Sequence, residues 1–233
     1  MISWREFLPR DWRDLLAPHG RVGIGIDVAT TAKKTSNPTG LALVQEVGAD
    51  YFARLVLRFK TQDSAVIYAI IEELLNLPHG LRVRKVCVDA TNERFFAADL
   101  RKDFAGKVVV EPMVQSETMT YKGEKMTVKA FLGQQLVNTV EDGHLLLPNE
   151  KWLERDIRQV KRAGGSFEAD VDADGNHADA FDGIKFGLHA AMSSGGRAEA
   201  SAAPVGTFEQ PAKARWWKNP FARGSGNAPR NMT

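Results

Sequence analysis

The stretch Arg21-Val22-Gly23-Ile24-Gly25-Ile26-Asp27-Val28-Ala29-Thr30 decides how the rest of the chain reads. Val22, Ile24 and Ile26 alternate with Gly23 and Gly25, and the alternation stops at Asp27. A period of two predicts a strand buried on at least one face. This strand delivers a carboxylate at its C-terminal end. A buried carboxylate without a partner is costly. The bland reading is an aspartate that starts a turn. The sharper one is that distant segments bring further carboxylates to Asp27, around a cation.

Working outward, residues 41–47 and 51–60 are strand-like runs joined by Gly48-Ala49-Asp50, a short hairpin loop. With the first strand they predict a three-strand antiparallel meander, and polar residues 31–39 connect its first two strands. Residues 62–77 carry Val66, Ile70, Ile71, Leu74 and Leu75 at helical spacing, with Asp63 or Ser64 as cap. Residues 82–89 form a fourth strand that again ends in an acid, Asp89. A helix over 93–104 and a fifth strand over 108–114 follow. Helix alternating with strand implies parallel pairing. Ligands of such sheets gather at the carboxyl ends of strands, where Asp27 and Asp89 sit. Residues 115–124 read as a loop, 125–142 as a helix, 145–147 as a short apolar piece and 151–157 as a helix. Gly164-Gly165 marks a hairpin between 157–162 and 166–171. The last helix spans 176–192, with Asn176 as its cap.

The chain has 233 residues, is 43% hydrophobic and 26% charged, and carries a formal charge of +2. Bulk charge therefore makes no case for a nucleic-acid partner, which would have to rest on local clusters. A single cysteine, Cys87, excludes a disulfide framework. No apolar run is long enough to span a membrane and no secretory signal is visible, so a cytoplasmic location is expected. Residues 194–233 are rich in Gly, Ala, Ser, Pro and Arg and are expected to be a disordered tail, with Trp216-Trp217-Lys218 as a short docking element. Asp170–Gly175 echoes a calcium loop but lacks the glutamate at its twelfth position.

Asp179 and Asp182 lie three apart on the last helix, with His177 beside them. Either acid alone is explained by the helix dipole. Both acids and an imidazole at the entry of an otherwise apolar helix are not. Three acid points far apart in the chain would repel if they converged without a cation. Oxygen donors alone suit Mg²⁺ or Mn²⁺ rather than zinc. Two such ions, about 3.5–4 Å apart, stabilise both oxygens of a phosphodiester displacement.

The motifs IGIDVA around Asp27, VCVDATN around Asp89 and HADAFDGIKFGL around Asp179, in this order of elements, resemble the ribonuclease H-like nuclease superfamily. More narrowly, they resemble the C-terminal nuclease domain of the large subunit of tailed-phage DNA-packaging terminases. Between them, MTVKAFLGQQLVNTVEDGHLLLP is similar to the lysine-bearing helix and short strand of those nucleases. The resemblance covers residues 21–192. It implies an α/β fold, with a mixed central sheet (the meander plus parallel strands) flanked by helices. It implies a connector at 1–20, a nuclease domain at 21–193 and the tail at 194–233.

The implied activity is metal-dependent endonucleolytic cleavage of double-stranded phage DNA during genome packaging, with two Mg²⁺ or Mn²⁺ ions. Asp27 would bind both ions, Asp89 one, and Asp179 would complete the site, with Asp182 the alternative. His177 and Glu93 would stand behind these ligands. Lys33, Lys34, Lys122, Lys125 and Lys129 would contact the DNA backbone. The implied partners are an ATPase motor domain, the small terminase subunit and the portal, in the host-cell cytoplasm. No G-x-x-x-x-G-K-[ST] motif is present, so the expectation is a nuclease domain apart from its motor. Two other readings are a junction resolvase or integrase-type nuclease of the same fold, and a non-catalytic docking domain.

Overall fold

The computed structural model describes residues 3–29, 37–170 and 177–194, and the backbone of Trp216–Trp217. In chain order its elements are β1 (Arg21–Asp27), β2 (Thr39–Val47), β3 (Asp50–Phe59), α1 (Ser64–Leu75), β4 (Val83–Asp89), α2 (Arg94–Asp103), β5 (Val109–Met113), β6 (Thr118–Tyr121), β7 (Glu124–Thr127), α3 (Val128–Glu141), β8 (Leu145–Pro148), α4 (Lys151–Arg158), β9 (Val160–Ala163), β10 (Ser166–Ala169), α5 (Asp179–Met192) and β11 (Trp216–Trp217). Six strands form a mixed sheet in the order β8-β3-β2-β1-β4-β5, which β11 extends antiparallel to β8. The β1–β2 and β2–β3 pairs are antiparallel, and β1–β4, β4–β5 and β3–β8 are parallel. This is the predicted meander joined to a parallel half.

The alternation in β1 assigns its two faces. Val22, Ile24 and Ile26 pack with Ile67, Ile70, Ile71 and Leu74 of α1 and with Ala97 and Leu100 of α2. Gly23 and Gly25 face α5 on the other side. A Cβ at Gly25 would lie 2.0 Å from the Gly187 nitrogen, and one at Gly40 would lie 1.9 Å from the Asp179 oxygen. The helix therefore rests on sheet backbone, closer than any side chain between them would permit. Leu136 and Val140 of α3 and Leu153 and Ile157 of α4 flank α5 in a second cluster.

Residues 3–20 are docked onto the domain. Trp4–Glu6 and Trp12–Leu15 form two 3₁₀ turns, and Leu8, Trp12 and Leu16 are buried in the α1 cluster. The Gln45 side chain accepts from the Ala17 nitrogen at 2.9 Å and donates to the Ala17 and His19 oxygens at 2.9 and 2.8 Å.

Two elements differ from expectation. Helix α5 starts at Asp179 with Ala178 at its N-cap rather than Asn176, which lies outside the described residues. The other is the segment after β5, which is not a loop. Residues 115–124 read as a loop, yet β6 and β7 form an antiparallel hairpin there. Lys122 and Gly123 both take positive φ, 50° and 89°, which is the backbone a two-residue hairpin turn requires. Lys125 consequently sits on a strand, and α3 starts three residues later. The polar loop with Lys33 and Lys34, the calcium-like turn from 171 onward and nearly all of the expected tail lie outside the described residues. Among the described residues, no helix is long and apolar enough to cross a membrane.

Candidate active site

Ile26 pairs with Val88 in the parallel β1–β4 register, so Asp27 and Asp89 end adjacent strands at the same level. Neighbouring strands lie about 4.8 Å apart. Both side chains share the α5 face. Asp27 follows the parity of Gly25, and Asp89 that of Cys87, which packs against Phe186 and Ala190 of α5. α5 runs back over β1 so that its first turn, with Asp179 and Asp182, comes down on this rim. The glycine contacts fix that height.

Asp89 is held from both sides. Its Oδ1 accepts from the Thr91 nitrogen at 2.8 Å and the Thr91 hydroxyl at 2.6 Å. Its Oδ2 accepts from Gln115 Nε2 at 2.6 Å. The same Gln115 nitrogen lies 3.4 Å from Asp182 Oδ2. Lys185 Nζ donates to Asp182 Oδ1 and to Gln115 Oε1, each at 2.7 Å. Asp89 and Asp182, distant in sequence, thus share one amide.

Burial pushes the Asp27 carboxyl well above the usual range, and the charges of Asp182, Asp89 and Asp179 push it further, in that order, against a smaller opposing pull from Lys185. Asp179 is 2% exposed, and its Oδ2 is buried without a hydrogen-bond partner. Burial, then the charges of Asp156 and Asp182, raise it to about 7, with Arg58 opposing. Asp156 of α4 is buried and accepts from the Phe181 nitrogen at 3.2 Å, where the helix's own N-cap, Ala178, supplies no side-chain bond. Burial raises Asp156 to about 6, against the pull of the Phe181 nitrogen and of Arg58, whose Nη1 lies 3.4 Å away.

Asp27, Asp179 and Asp182 open into a polar cleft of about 450 Å³, walled by His177, Lys129 of α3 and Phe167 and Glu168 of β10. Four of the acids singled out in the sequence therefore converge. His177 and Lys129 join them at the cleft. Glu93 instead sits at the N-cap of α2 and does not line the cleft. Lys122 and Lys125 are exposed on the β6–β7 hairpin, where Lys122 borders a separate groove between the hairpin and α3. Gln115, Thr91, Asp156 and Lys185 are site residues that sequence reasoning missed. Lys185 alone carried a signal, being a cation set between Ile184 and Phe186 on an apolar helix.

Oxygen donors, a carboxyl pushed upward by burial and by its acidic neighbours and an orphaned buried carboxylate oxygen all fit a hard divalent cation. Among the described residues, no three His, Cys, Asp or Glu side chains already surround one point as a preformed metal cluster.

No protein-family model matches the chain, and no curated protein matches its sequence. Solved structures do match. A variant nuclease domain of the large terminase subunit gp2 of bacterial virus Sf6, with manganese and beta-thujaplicinol, is 13% identical at a TM-score of 0.52, covering 81% of this chain and 99% of that one. The Sf6 nuclease domain without those additions is 14% identical at 0.50, with the same coverage. The large terminase of a thermophilic bacteriophage is 14% identical at 0.51, covering 81% of this chain and 41% of that one. The chain has the fold of terminase nuclease domains, with its mixed sheet between helices.

Proposed function

We propose that this terminase-nuclease-like domain is a divalent-metal-dependent endonuclease that cuts double-stranded DNA during viral genome packaging. The observation that carries the reading is the convergence of Asp27, Asp89, Asp179 and Asp182 on one rim, where burial and then the other three acids raise the Asp27 carboxyl. Asp27, Asp89 and Asp182 are the residues that would hold Mg²⁺ or Mn²⁺. We assign Asp182 ahead of Asp179, because Asp182 shares the Gln115 amide with Asp89 and exerts the largest charge effect on Asp27. Asp179 stands behind, buried beside Asp156. When bound, two such ions supply charge neutralisation at the phosphate and a reactive water.

The chain's own groups do the rest. Thr91 and Gln115 orient Asp89. Lys129 and His177 line the cleft where a phosphate backbone would pass, and Lys129 supplies the cation for it. The exposed Lys122 and Lys125 extend that positive surface along the hairpin. In this reading the partners are DNA, an ATPase motor, the small terminase subunit and the portal.

The test is plasmid cleavage by purified protein with Mn²⁺, Mg²⁺ or EDTA. Cleavage should require the ion and vanish in Asp27→Asn and Asp89→Asn. Equal cleavage by both variants, with their circular dichroism unchanged, would refute the assignment.

A further inference from the structure

Lys185 is 1% exposed. An ammonium is almost never buried so deeply unless it is paired and hydrogen-bonded. Its Nζ spans Asp182 Oδ1 and Gln115 Oε1, both at 2.7 Å, and the amide passes the contact on to Asp89 Oδ2 at 2.6 Å and Asp182 Oδ2 at 3.4 Å. The amide orientation follows from the network: its oxygen must face the ammonium and its nitrogen the carboxylates. Lys185, Gln115 and Asp182 close a three-membered ring of hydrogen bonds, and Asp89 joins it through the Gln115 amide nitrogen. Phe181 and Phe186 lie beside the ammonium, with ring centroids 5.7 and 5.1 Å away.

We propose that Lys185, relayed by Gln115, is a built-in cation that holds Asp89 and Asp182 together in the ion-free protein and competes with the divalent ion for Asp182. This rests on the metal-dependent reading above and adds a control on it. Two carboxylates at one rim need a positive charge in either state. Lys185 supplies it before the ion arrives and must yield Asp182 Oδ1 when it does. Metal uptake is thereby set weaker than four acids alone would make it. Lys185 is a positioning residue in this scheme, acting through Asp182 and Gln115.

The variant is Lys185→Met, which keeps the stem between the two phenylalanine rings and removes the charge. Mn²⁺ binding is read by calorimetry, together with the Tm in EDTA and in saturating Mn²⁺. The expected result is tighter Mn²⁺ binding by about tenfold, because the repulsion between the ammonium and the ion is removed, and a larger Tm gain on adding Mn²⁺ than in the wild type. An unchanged or weaker Kd, with a Tm loss that is the same with and without Mn²⁺, assigns Lys185 a structural role and overturns the proposal. Should Lys185→Met not fold, wild-type protein with ¹⁵N-labelled lysine is titrated with Mg²⁺. The Lys185 Nζ resonance is expected to shift, and one that stays fixed at saturation overturns the proposal. Wild-type protein that binds no Mn²⁺ at all overturns the underlying metal reading instead.

Discussion

Gly25 of β1 and Gly187 of α5 meet backbone to backbone: a Cβ on the first would lie 2.0 Å from the nitrogen of the second. The contact joins residues far apart in the chain and sets how low α5 sits over the sheet. Asp182 stands just over one turn earlier on the same helix, so its height above Asp27 follows from that contact.

Gly25→Ala should therefore lift the helix. The clash is with backbone, which cannot rotate away, so the loss should reach about 3 kcal/mol. In a chain of this size that corresponds to a fall in Tm of about 6–12 °C. Differential scanning calorimetry reads it, and an unchanged Tm would mean the helix does not rest on β1.

Asp27→Asn should separate activity from stability. Cleavage should drop by about 10²–10³-fold or more, the equivalent of several kcal/mol of lost charge stabilisation. Without metal at pH 8, the variant should melt above the wild type, because the wild type must ionise a buried carboxyl among other acids. A lower Tm for the variant under those conditions would contradict this.

The raised carboxyls fix the sign of the pH dependence. Asp179 at about 7 and Asp156 at about 6 hold their protons in the fold. An unfolded aspartate releases its proton at about 3.9. Between about pH 4 and 7 the folded state thus binds more protons, and stability falls as pH rises. In EDTA, Tm should decline from pH 5 to pH 8. Saturating Mn²⁺ should flatten or reverse the decline, because the ion takes the ionised acids. A Tm in EDTA that rises over this range would exclude the burial of these groups.

Asp156→Ala should unfasten the site from outside. It removes the acceptor of the Phe181 nitrogen and the partner of Arg58. A loss of about 1–3 kcal/mol is expected. Asp156→Asn, which keeps an acceptor oxygen, should lose less. Urea unfolding of the pair checks the order.

Lys129→Ala should weaken DNA binding with little change in the turnover of bound substrate. If one phosphate contact is lost, the slope of log K against log salt should fall by about 1. An unchanged slope would place Lys129 off the DNA path.

Much of this architecture is legible in the chain. The period-two run over 22–27, the acids that close β1 and β4 and the helical spacing in 64–75 are local patterns, and each follows from backbone geometry alone. They suffice for a mixed sheet with two carboxylates at its rim. The β6–β7 hairpin is hidden because its turn relies on Lys122 adopting a positive φ, which a lysine does not advertise. Gln115 and Asp156 are hidden for another reason. Each is an ordinary polar residue locally and acquires its role from a partner on another element, Asp182 for one and Phe181 for the other. The amino-acid order determined the strands, the helices and the supply of oxygen ligands. The tertiary structure alone decided which acid faces which, because that depends on glycine backbones in β1, β2 and α5 coming close enough for the helix to settle on the sheet. No local propensity encodes a contact between segments so far apart.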